Sequence, residues 1–287
     1  MADDDYVYDE ESGEWLPAGE LAAKRAAAME AAAKTWGGDF FKNGGGGAVW
    51  DGFAYDPEAN LVYIGTGNGS PWSQKRRSPK GGDNLYLASI VALDPDTGAY
   101  VWHYQETPGD SWDYDAVSPM MTIDVTLDGK KQHVLAQPSK NGFMYLLDAA
   151  NGKLLAADAF TEVNWATGVD MKTGRPIVNE AANWHARPSN IYPSWAGGHT
   201  WMPMSWHPGT GLMYIPARDR VNMATVNESA EFEAGKLFTG GSFPAIRDRP
   251  PTGLLAAVDP ATGKMKWYFQ FTPHDTHDWD SSETPVL

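Results

Sequence analysis

The feature that most constrains the fold is a pattern that occurs at two widely separated places in the chain. The segments VALDPDTGAYVW (91–102) and AAVDPATGKMKW (256–267) both read A-x-D-x-x-T-G-x-x-x-W. Each contains an apolar run, a turn rich in Asp, Pro, Thr and Gly, and a second run that ends in tryptophan. This order predicts a β-hairpin, because these turn residues readily adopt the backbone angles that reverse a chain.

Further segments share the same layout. AYDPEANLVYIG (54–65) and SWHPGTGLMYIP (205–216) read apolar–turn–apolar, and LLDAANGKLLAA (146–157) is a weaker relative. Hairpins that recur through a chain, the best copies with a tryptophan at a fixed offset, indicate a β-propeller built blade by blade. We interpret Trp102 and Trp267 as residues that dock neighbouring blades, and the predicted fold class is all-β.

Composition narrows the function classes. The chain has 287 residues with a formal net charge of −15, whereas nucleic-acid-binding proteins carry a basic surface. The absence of cysteine excludes disulfides and thiolate catalysis. No apolar stretch is long enough to cross a bilayer, so we predict no membrane span. The opening MADDDYVYDEESGEW has no basic or apolar region of a secretory signal, so we expect no signal peptide.

The first 38 residues differ from the rest. Eight acidic residues and no basic residue fall within the first twenty, which favours an arm that is mobile or that orders only against a partner. AGELAAKRAAAMEAAAKTW then consists mainly of helix-forming residues, and Gly37-Gly38 ends the helix. We therefore predict an acidic arm and helix over 1–38 and a partial propeller over 39–287.

Two acid pairs stand out. Asp113 and Asp115 lie in GDSWDYDAV, and Asp278 and Asp280 lie in HDTHDWDSSE, each after Thr-Pro. In an extended segment residues i and i+2 point to the same side, so each pair would face one site. Two like charges this close are costly unless a cation, a shared proton or water screens them. Each pair is thus either a solvent-exposed loop or part of a site for a hard cation.

The segment from about Trp36 to Trp206 resembles the quinoprotein alcohol dehydrogenases, which depend on pyrroloquinoline quinone (PQQ). The segments that carry the resemblance are GGGGAVWDGFAYDP, YIGTGNGSPW, GGDNLYLASIVALDPDTG, TPGDSWDYD, SKNGFMYLLD and GGHTWMPMSW, in family order. The resemblance implies part of an eight-bladed propeller that holds PQQ and a metal ion on its central axis.

The resemblance assigns a cofactor site. Trp50 matches the tryptophan that forms the floor under the PQQ ring, and Lys140 matches the cation that contacts the quinone oxygens. Ala48 stands where a threonine is usual, and Thr200 stands where an asparagine is usual after Gly-Gly-His. These four positions are the predicted cofactor-binding residues.

The resemblance also assigns the chemistry. Asn68 matches a metal ligand, and Asp113 matches the catalytic base beside the metal. Asp115 matches the extra carboxylate of the lanthanide-using branch, so the expected cation is Ca²⁺ or, preferably, a lanthanide ion. Lys140 would stabilise charge on the reduced cofactor. We expect the second pair, Asp278 and Asp280, to be an exposed copy of the first without its partners.

The expected activity is oxidation of a primary alcohol, with hydride transfer to PQQ and electrons passed to a cytochrome c-type acceptor, in the periplasm. Family segments with a vicinal cysteine pair, a glutamate metal ligand and a PQQ-binding arginine have no counterpart here, so we expect a partial chain whose open blade edges promote self-association. The alternative is a non-catalytic propeller-repeat scaffold, which Ala48 and Thr200 favour. The basic segment KRRSPK (75–80) is predicted to be a solvated loop.

Overall fold

The computed structural model describes residues 6–9, 14–39, 42, 45–246, 249–277, 279–281 and 283–286. Strands β1 (Tyr6–Asp9) and β2 (Glu14–Pro17) form an antiparallel pair, and helix α1 (Ala18–Ala33) follows directly. The predicted short helix is therefore present. Part of the acidic arm pairs with itself, because its tyrosine, valine and tryptophan residues favour strands despite the surrounding charge.

The rest of the described chain is mainly short strands. In chain order they are β3 (Gly45–Gly46), β4 (Phe53–Asp56), β5 (Leu61–Gly65), β6 (Gly69–Ser70), β7 (Ser89–Leu93), β8 (Tyr100–Gln105), β9 (Met121–Leu127), β10 (Lys130–Pro138), β11 (Phe143–Asp148), β12 (Leu154–Ala159), β13 (Ala166–Asp170), β14 (Arg175–Val178), β15 (Ser189–Ile191), β16 (Ser205–His207), β17 (Leu212–Asp219), β18 (Asn222–Val226), β19 (Gly241–Ser242), β20 (Thr252–Val258) and β21 (Met265–Phe269). Helix α2 (Gln74–Arg77) follows β6, and a 3₁₀ turn spans Glu180–Ala182.

Within the described residues, three sheets have four antiparallel strands each. We call them blade 1 (β4-β5-β7-β8), blade 2 (β9-β10-β11-β12) and blade 3 (β16-β17-β20-β21). Smaller sheets pair β3 with β6, β13 with β14, and β18 with β15 and β19. The prediction of an all-β chain of repeated hairpins is confirmed. None of the described helices has the length and hydropathy needed to cross a membrane.

The repeated turns owe their shape to the aspartate that opens them. The Asp94 carboxylate accepts hydrogen bonds from the backbone N–H groups two and three residues later, at 2.8 and 3.0 Å. The N–H of Gly98, whose φ of +66° suits glycine, donates to the Asp94 carbonyl oxygen at 2.8 Å. Asp148 and Gly152 repeat this arrangement in blade 2. The sequence pattern is therefore a pattern of hydrogen bonds.

One of the two pattern tryptophans docks between blades. Trp102 is buried, lies 5.5 Å from the ring of Tyr63, and covers Gly152 of blade 2 so closely that a Cβ there would come within 2.4 Å of the indole. Trp267 has the same strand register in blade 3, lies 5.7 Å from Tyr214 of its own blade and is 45% exposed. The docking interpretation thus fits Trp102, while Trp267 contacts its own blade.

The core lies between the blades. Strand β10 points Leu135 into a cluster shared with blade 1, and the adjacent Val134 into a second cluster shared with blade 3. Side chains alternate across a strand, so both faces of blade 2 are buried. Tyr63 of blade 1 contributes to the first cluster and Ile215 of blade 3 to the second.

Polar contacts also join blades 1 and 2. His133 Nε2 of blade 2 lies 3.0 Å from Oδ2 of the buried Asp56 of blade 1, while its Nδ1 lies 2.9 Å from Oδ1 of Asp124 within blade 2. The Tyr63 hydroxyl donates to the carbonyl oxygen of Ala149 at 2.9 Å. Although burial opposes it, hydrogen bonds to the carboxylates of Asp124 and Asp56 raise the pKa of His133. The contacts of His133 with Asp56 and of Tyr63 with Ala149 thus connect blade 1 to blade 2.

Candidate active site

Asp113 and Asp115 lie in the connection between β8 and β9, which is a loop and not a strand. The condition for alignment by strand alternation, an extended strand, is therefore not met here. Asp113 has a φ of +67°, and the Asp110 Oδ1 atom accepts hydrogen bonds from Trp112 N and Tyr114 N at 3.0 and 3.2 Å. The Asp110 carboxylate thus holds the amides on both sides of Asp113. A non-glycine residue in this strained region is typical of functional sites.

Lys140 brings the acid pair together. It lies in the turn between β10 and β11, which Gly142 closes with a φ of +95° and a hydrogen bond to Ser139 O at 3.0 Å. Its Nζ atom lies 2.8 Å from Oδ2 of Asp113 and 3.4 Å from Oδ1 of Asp115. The Gly198 N–H donates to the Lys140 carbonyl oxygen at 3.1 Å. One ammonium group therefore compensates two carboxylates.

Burial sets the electrostatics of this cluster. It raises the pKa of the Asp113 carboxyl above its usual range, against the ammonium of Lys140 and together with the charge of Asp115. The pKa of Lys140 is raised although burial opposes this, because Asp115 and Asp113 both favour the charged amine. A carboxylate with a raised pKa is a stronger base than a solvated one, so it is suited to accept and return a proton.

Trp50 adds an aromatic surface to the pair. Its Nε1 donates to Oδ2 of Asp115 at 3.0 Å, and its side chain is 49% exposed. Close packing holds the segment before it, since Gly67 N donates to the carbonyl oxygen of Ala48 at 2.9 Å. A Cβ on Gly67 would lie 2.9 Å from that oxygen. The accessible indole can therefore support a flat ring beside the acid pair.

The remaining predicted positions are Asn68, Ala48 and Thr200. The Asn68 side-chain Nδ2 donates to Gly69 O at 3.2 Å, and the backbone carbonyl oxygen of Asn68 accepts from Gly47 N at 2.8 Å. Ala48 is exposed. Thr200 is buried two residues after Gly198, the residue that binds the Lys140 backbone. The structure thus joins Trp50, Asp113, Asp115 and Lys140 by direct contacts, and the roles of Asn68, Ala48 and Thr200 stay predictions.

A second polar layer beneath Lys140 was not anticipated from the sequence. Ser139 Oγ donates to Oε2 of Glu106 at 2.6 Å, while Oε1 of this fully buried carboxyl has no partner among the described residues. Burial raises the pKa of Glu106 to about 8. The Asn141 Nδ2 donates to Tyr145 Oη at 2.9 Å in the same layer. The sequence signal for this layer was an acidic residue, Glu106, at the start of the connection between β8 and β9.

The donor set can be compared with the predicted metal. Asp113, Asp115 and Asn68 offer carboxylate and amide oxygens, which are the ligands that hard cations prefer. In the described part of the chain, no group of three or more His, Cys, Asp or Glu side chains is placed to share an ion. The cationic group that contacts both members of the acid pair is the ammonium of Lys140. By donor type, these residues fit Ca²⁺ or a lanthanide.

The second acid pair is only partly visible. Asp278 lies outside the described residues, and Asp280 is exposed. The preceding loop is also exposed at His274 and His277, and Asp275 accepts hydrogen bonds from His277 N and Trp279 N, both at 2.8 Å.

Comparison with known proteins identifies the family to which the chain is similar. Residues 8–164 match the model of the PQQ-dependent glucose, ethanol and alcohol dehydrogenase β-propeller domain. The quinohemoprotein alcohol dehydrogenase ADH IIB of Pseudomonas putida is 48% identical over 254 residues, which cover 87% of this chain and 36% of that protein. The quinohemoprotein alcohol dehydrogenase of Comamonas testosteroni is 45% identical over 279 residues, covering 91% and 39%.

Solved structures agree with this match. The crystal structure of the Comamonas testosteroni enzyme superposes with a TM-score of 0.80 at 43% identity, over 92% of this chain and 40% of that one. A europium-containing methanol dehydrogenase gives a TM-score of 0.73 at 34% identity, over 83% and 42%. The predicted partial propeller of the quinoprotein type is confirmed. The chain spans about two fifths of the length of these relatives.

Proposed function

Because the chain belongs to the PQQ-dependent alcohol dehydrogenase family, we propose that it oxidises a primary alcohol to an aldehyde, with Asp113 as the general base. The observation that carries the proposal is the buried contact of 2.8 Å between Lys140 Nζ and Asp113 Oδ2, with Asp115 and the open indole of Trp50 beside it. When bound, PQQ would supply the hydride acceptor and a Ca²⁺ or lanthanide ion would supply Lewis acidity.

The residues of the chain divide the work. Asp113 accepts the hydroxyl proton of the alcohol, and its raised pKa makes the carboxylate a stronger base than a solvated one. Lys140 orients that carboxylate and provides positive charge where negative charge develops. Trp50 supports the cofactor ring, and Asn68, Asp113 and Asp115 would hold the cation. Ala48 and Thr200 line the cofactor side without a charge.

The names of the relatives and the family resemblance support a proposal for the acceptor and the compartment. Two matched relatives are named quinohemoproteins, so we propose that electrons pass to a cytochrome c-type acceptor. The family resemblance also supports a periplasmic location. The net charge of −15 would favour a basic acceptor, since opposite charges steer association.

The test is reduction of an artificial electron-acceptor dye by the purified chain with ethanol, PQQ and either CaCl₂ or LaCl₃. Turnover that needs both PQQ and a metal ion, and that Asp113→Asn abolishes while Asp124→Asn does not, is the expected result. Asp124 is the matched control because it is an exposed residue of β9 and binds His133 instead of Lys140.

A second candidate function is a non-catalytic scaffold. The exposed methyl group of Ala48, at a position where the family uses a hydroxyl, favours it. PQQ that quenches tryptophan fluorescence of the chain without any dye reduction would support the scaffold and contradict the enzyme.

A further inference from the structure

Arg77 is a buried, charged side chain whose hydrogen-bond acceptors are all neutral. It ends helix α2, is 1% exposed, and donates to four oxygens, all of them carbonyl. Burial lowers its pKa to about 10. The sequence predicted a solvated basic segment, which holds for the exposed Lys75 and Lys80 but is wrong for Arg77. Burial of a guanidinium costs free energy of solvation, so we ask what its contacts hold in place.

Two of the four contacts reach the segment that follows Asn68. Arg77 Nη1 donates to the carbonyl oxygens of Pro71 at 2.5 Å and Trp72 at 3.0 Å. Gly69 lies against the guanidinium, and a Cβ there would come 2.3 Å from its Cζ atom. We call residues 68–72 the Asn68 strap. Its path is set by the shape of Arg77.

A third contact reaches the loop that carries the acid pair. Arg77 Nη2 donates to the carbonyl oxygen of Asp110 at 2.6 Å. The side chain of Asp110 in turn binds the amides of Trp112 and Tyr114, which flank Asp113. The left-handed backbone of Asp113 therefore depends on where Asp110 is held. We call residues 110–115 the Asp113 loop.

The fourth contact anchors the arginine itself. Arg77 Nε donates to Oδ1 of Asn84 at 3.2 Å, and Asn84 Nδ2 donates to Thr35 O at 3.1 Å. The guanidinium is therefore fixed between the strap and the loop.

We propose that Arg77 is a positioning residue that sets the distance between the Asn68 strap and the Asp113 loop. That the two segments hold a hard cation rests on the proposed function. That Arg77 links the two segments rests on the geometry of its hydrogen bonds. Lysine cannot replace it, because one ammonium cannot reach four carbonyl groups spread over a planar fork.

The first test is hydrogen exchange measured by mass spectrometry on the full chain. Arg77→Lys should make exchange in the Asp113 loop about 10- to 100-fold faster, the factor expected for loss of a hydrogen bond to a charged group. Arg76→Lys is the matched control. Arg76 lies one residue earlier in the same helix and also binds three carbonyl groups, those of Asn227, Glu228 and Ala230. It should leave the Asp113 loop unchanged.

A second variant covers the case in which Arg77→Lys does not fold. Gly69→Ala keeps the arginine but pushes on it from the strap, and it should also speed exchange in the Asp113 loop. Gly253→Ala is its control, since a Cβ there would meet nothing within 4 Å. Unchanged exchange in the loop for Arg77→Lys or, failing that, for Gly69→Ala would overturn the proposal.

The second test measures the affinity for a metal ion, which depends on the distance between the Asn68 strap and the Asp113 loop. Tb³⁺, whose luminescence nearby tryptophan sensitises, should bind about 10- to 100-fold more weakly to Arg77→Lys, as when a residue that orients metal ligands is lost. Equal affinity in Arg77→Lys and the unaltered chain would contradict the positioning role. If the unaltered chain binds no Tb³⁺, the proposed cation site fails, and the exchange result still decides the role of Arg77.

Discussion

The Nζ atom of Lys140 lies 2.8 Å from Oδ2 of Asp113, with the two side chains only 8% and 13% exposed. Few solvent molecules can share in stabilising these charges, so each depends on the other. Removing one partner of such a pair leaves a charge in a poorly solvated place, which costs far more than loss of a surface contact.

Replacement of Lys140 should therefore destabilise the fold. Lys140→Met should lower the free energy of unfolding by about 3–5 kcal/mol, because Asp113 and Asp115 would then be buried without a cation. Urea unfolding followed by circular dichroism measures this. Arg175→Met breaks a pair of similar length, 2.7 Å to Asp83, in which both side chains are exposed. Its cost should stay below about 1 kcal/mol, and equal costs would contradict the interpretation.

Asp115 should influence the choice of metal. Its second carboxylate charge favours a trivalent ion over Ca²⁺, so Asp115→Ala should weaken La³⁺ binding more than Ca²⁺ binding. Competition titrations in the presence of PQQ give both affinities. Asp124→Ala serves as the control, because this aspartate binds His133 on β9. An equal loss for the two ions would refute the idea.

Glu106 should make stability depend on pH. Its pKa rises from 4.5 to about 8 in the folded chain, so between these values the folded state keeps a proton that the unfolded state has released. The stabilisation is complete below pH 4.5 and is lost as the pH rises through about 8.

The measurement is urea unfolding from pH 5 to 9 for the unaltered chain and for Glu106→Gln. The stability of the variant relative to the unaltered chain should increase with pH. The exposed Glu228→Gln should show no such trend. A constant difference between Glu106→Gln and the unaltered chain would show that Glu106 does not carry this proton.

The two pattern tryptophans should differ in their energetic weight. Trp102→Ala should cost about 3–5 kcal/mol, because it opens a cavity between blades 1 and 2. Trp267→Ala, at the same register position in blade 3, should cost clearly less, since this indole is 45% exposed. Urea midpoints compare them directly. A larger loss for Trp267 would mean that it is covered in solution.

The turns and the docking tryptophan could be predicted because they are local. The aspartate, proline, threonine and glycine of 94–98 determine their own hydrogen bonds, so the same letters give the same hairpin wherever they occur. The docking role of Trp102 could be predicted from the repeat and from the rule that consecutive blades pack against each other.

The acid pair and its supports could not be predicted in the same way. The left-handed backbone of Asp113 depends on hydrogen bonds to Asp110, and the buried position of Arg77 depends on a contact with Asp110, which lies 33 residues later in the chain. A run of basic residues is usually solvated, so charge alone predicts that Arg77 is exposed, which is wrong. Glu106 looks like any acid at the end of a strand until the fold covers it.

The outer strand of blade 3 should promote self-association. All five residues of β21 are exposed and the strand forms the edge of its sheet, which leaves backbone groups open to another chain. Light scattering after size-exclusion chromatography should show oligomers, and Tyr268→Lys should reduce them. Leu237→Lys, at an exposed apolar residue outside the strands, should not. A monodisperse unaltered monomer would contradict this prediction.

The cluster at the candidate site is assembled from separate parts of the fold. Trp50 precedes blade 1, the Asp113 loop connects blades 1 and 2, and Lys140 belongs to a turn of blade 2. A rotation of one blade against the other by a few degrees would separate these groups while every hairpin stayed paired. On gentle warming, proton transfer at Asp113 would therefore fail while the circular dichroism of the strands was still that of the folded chain.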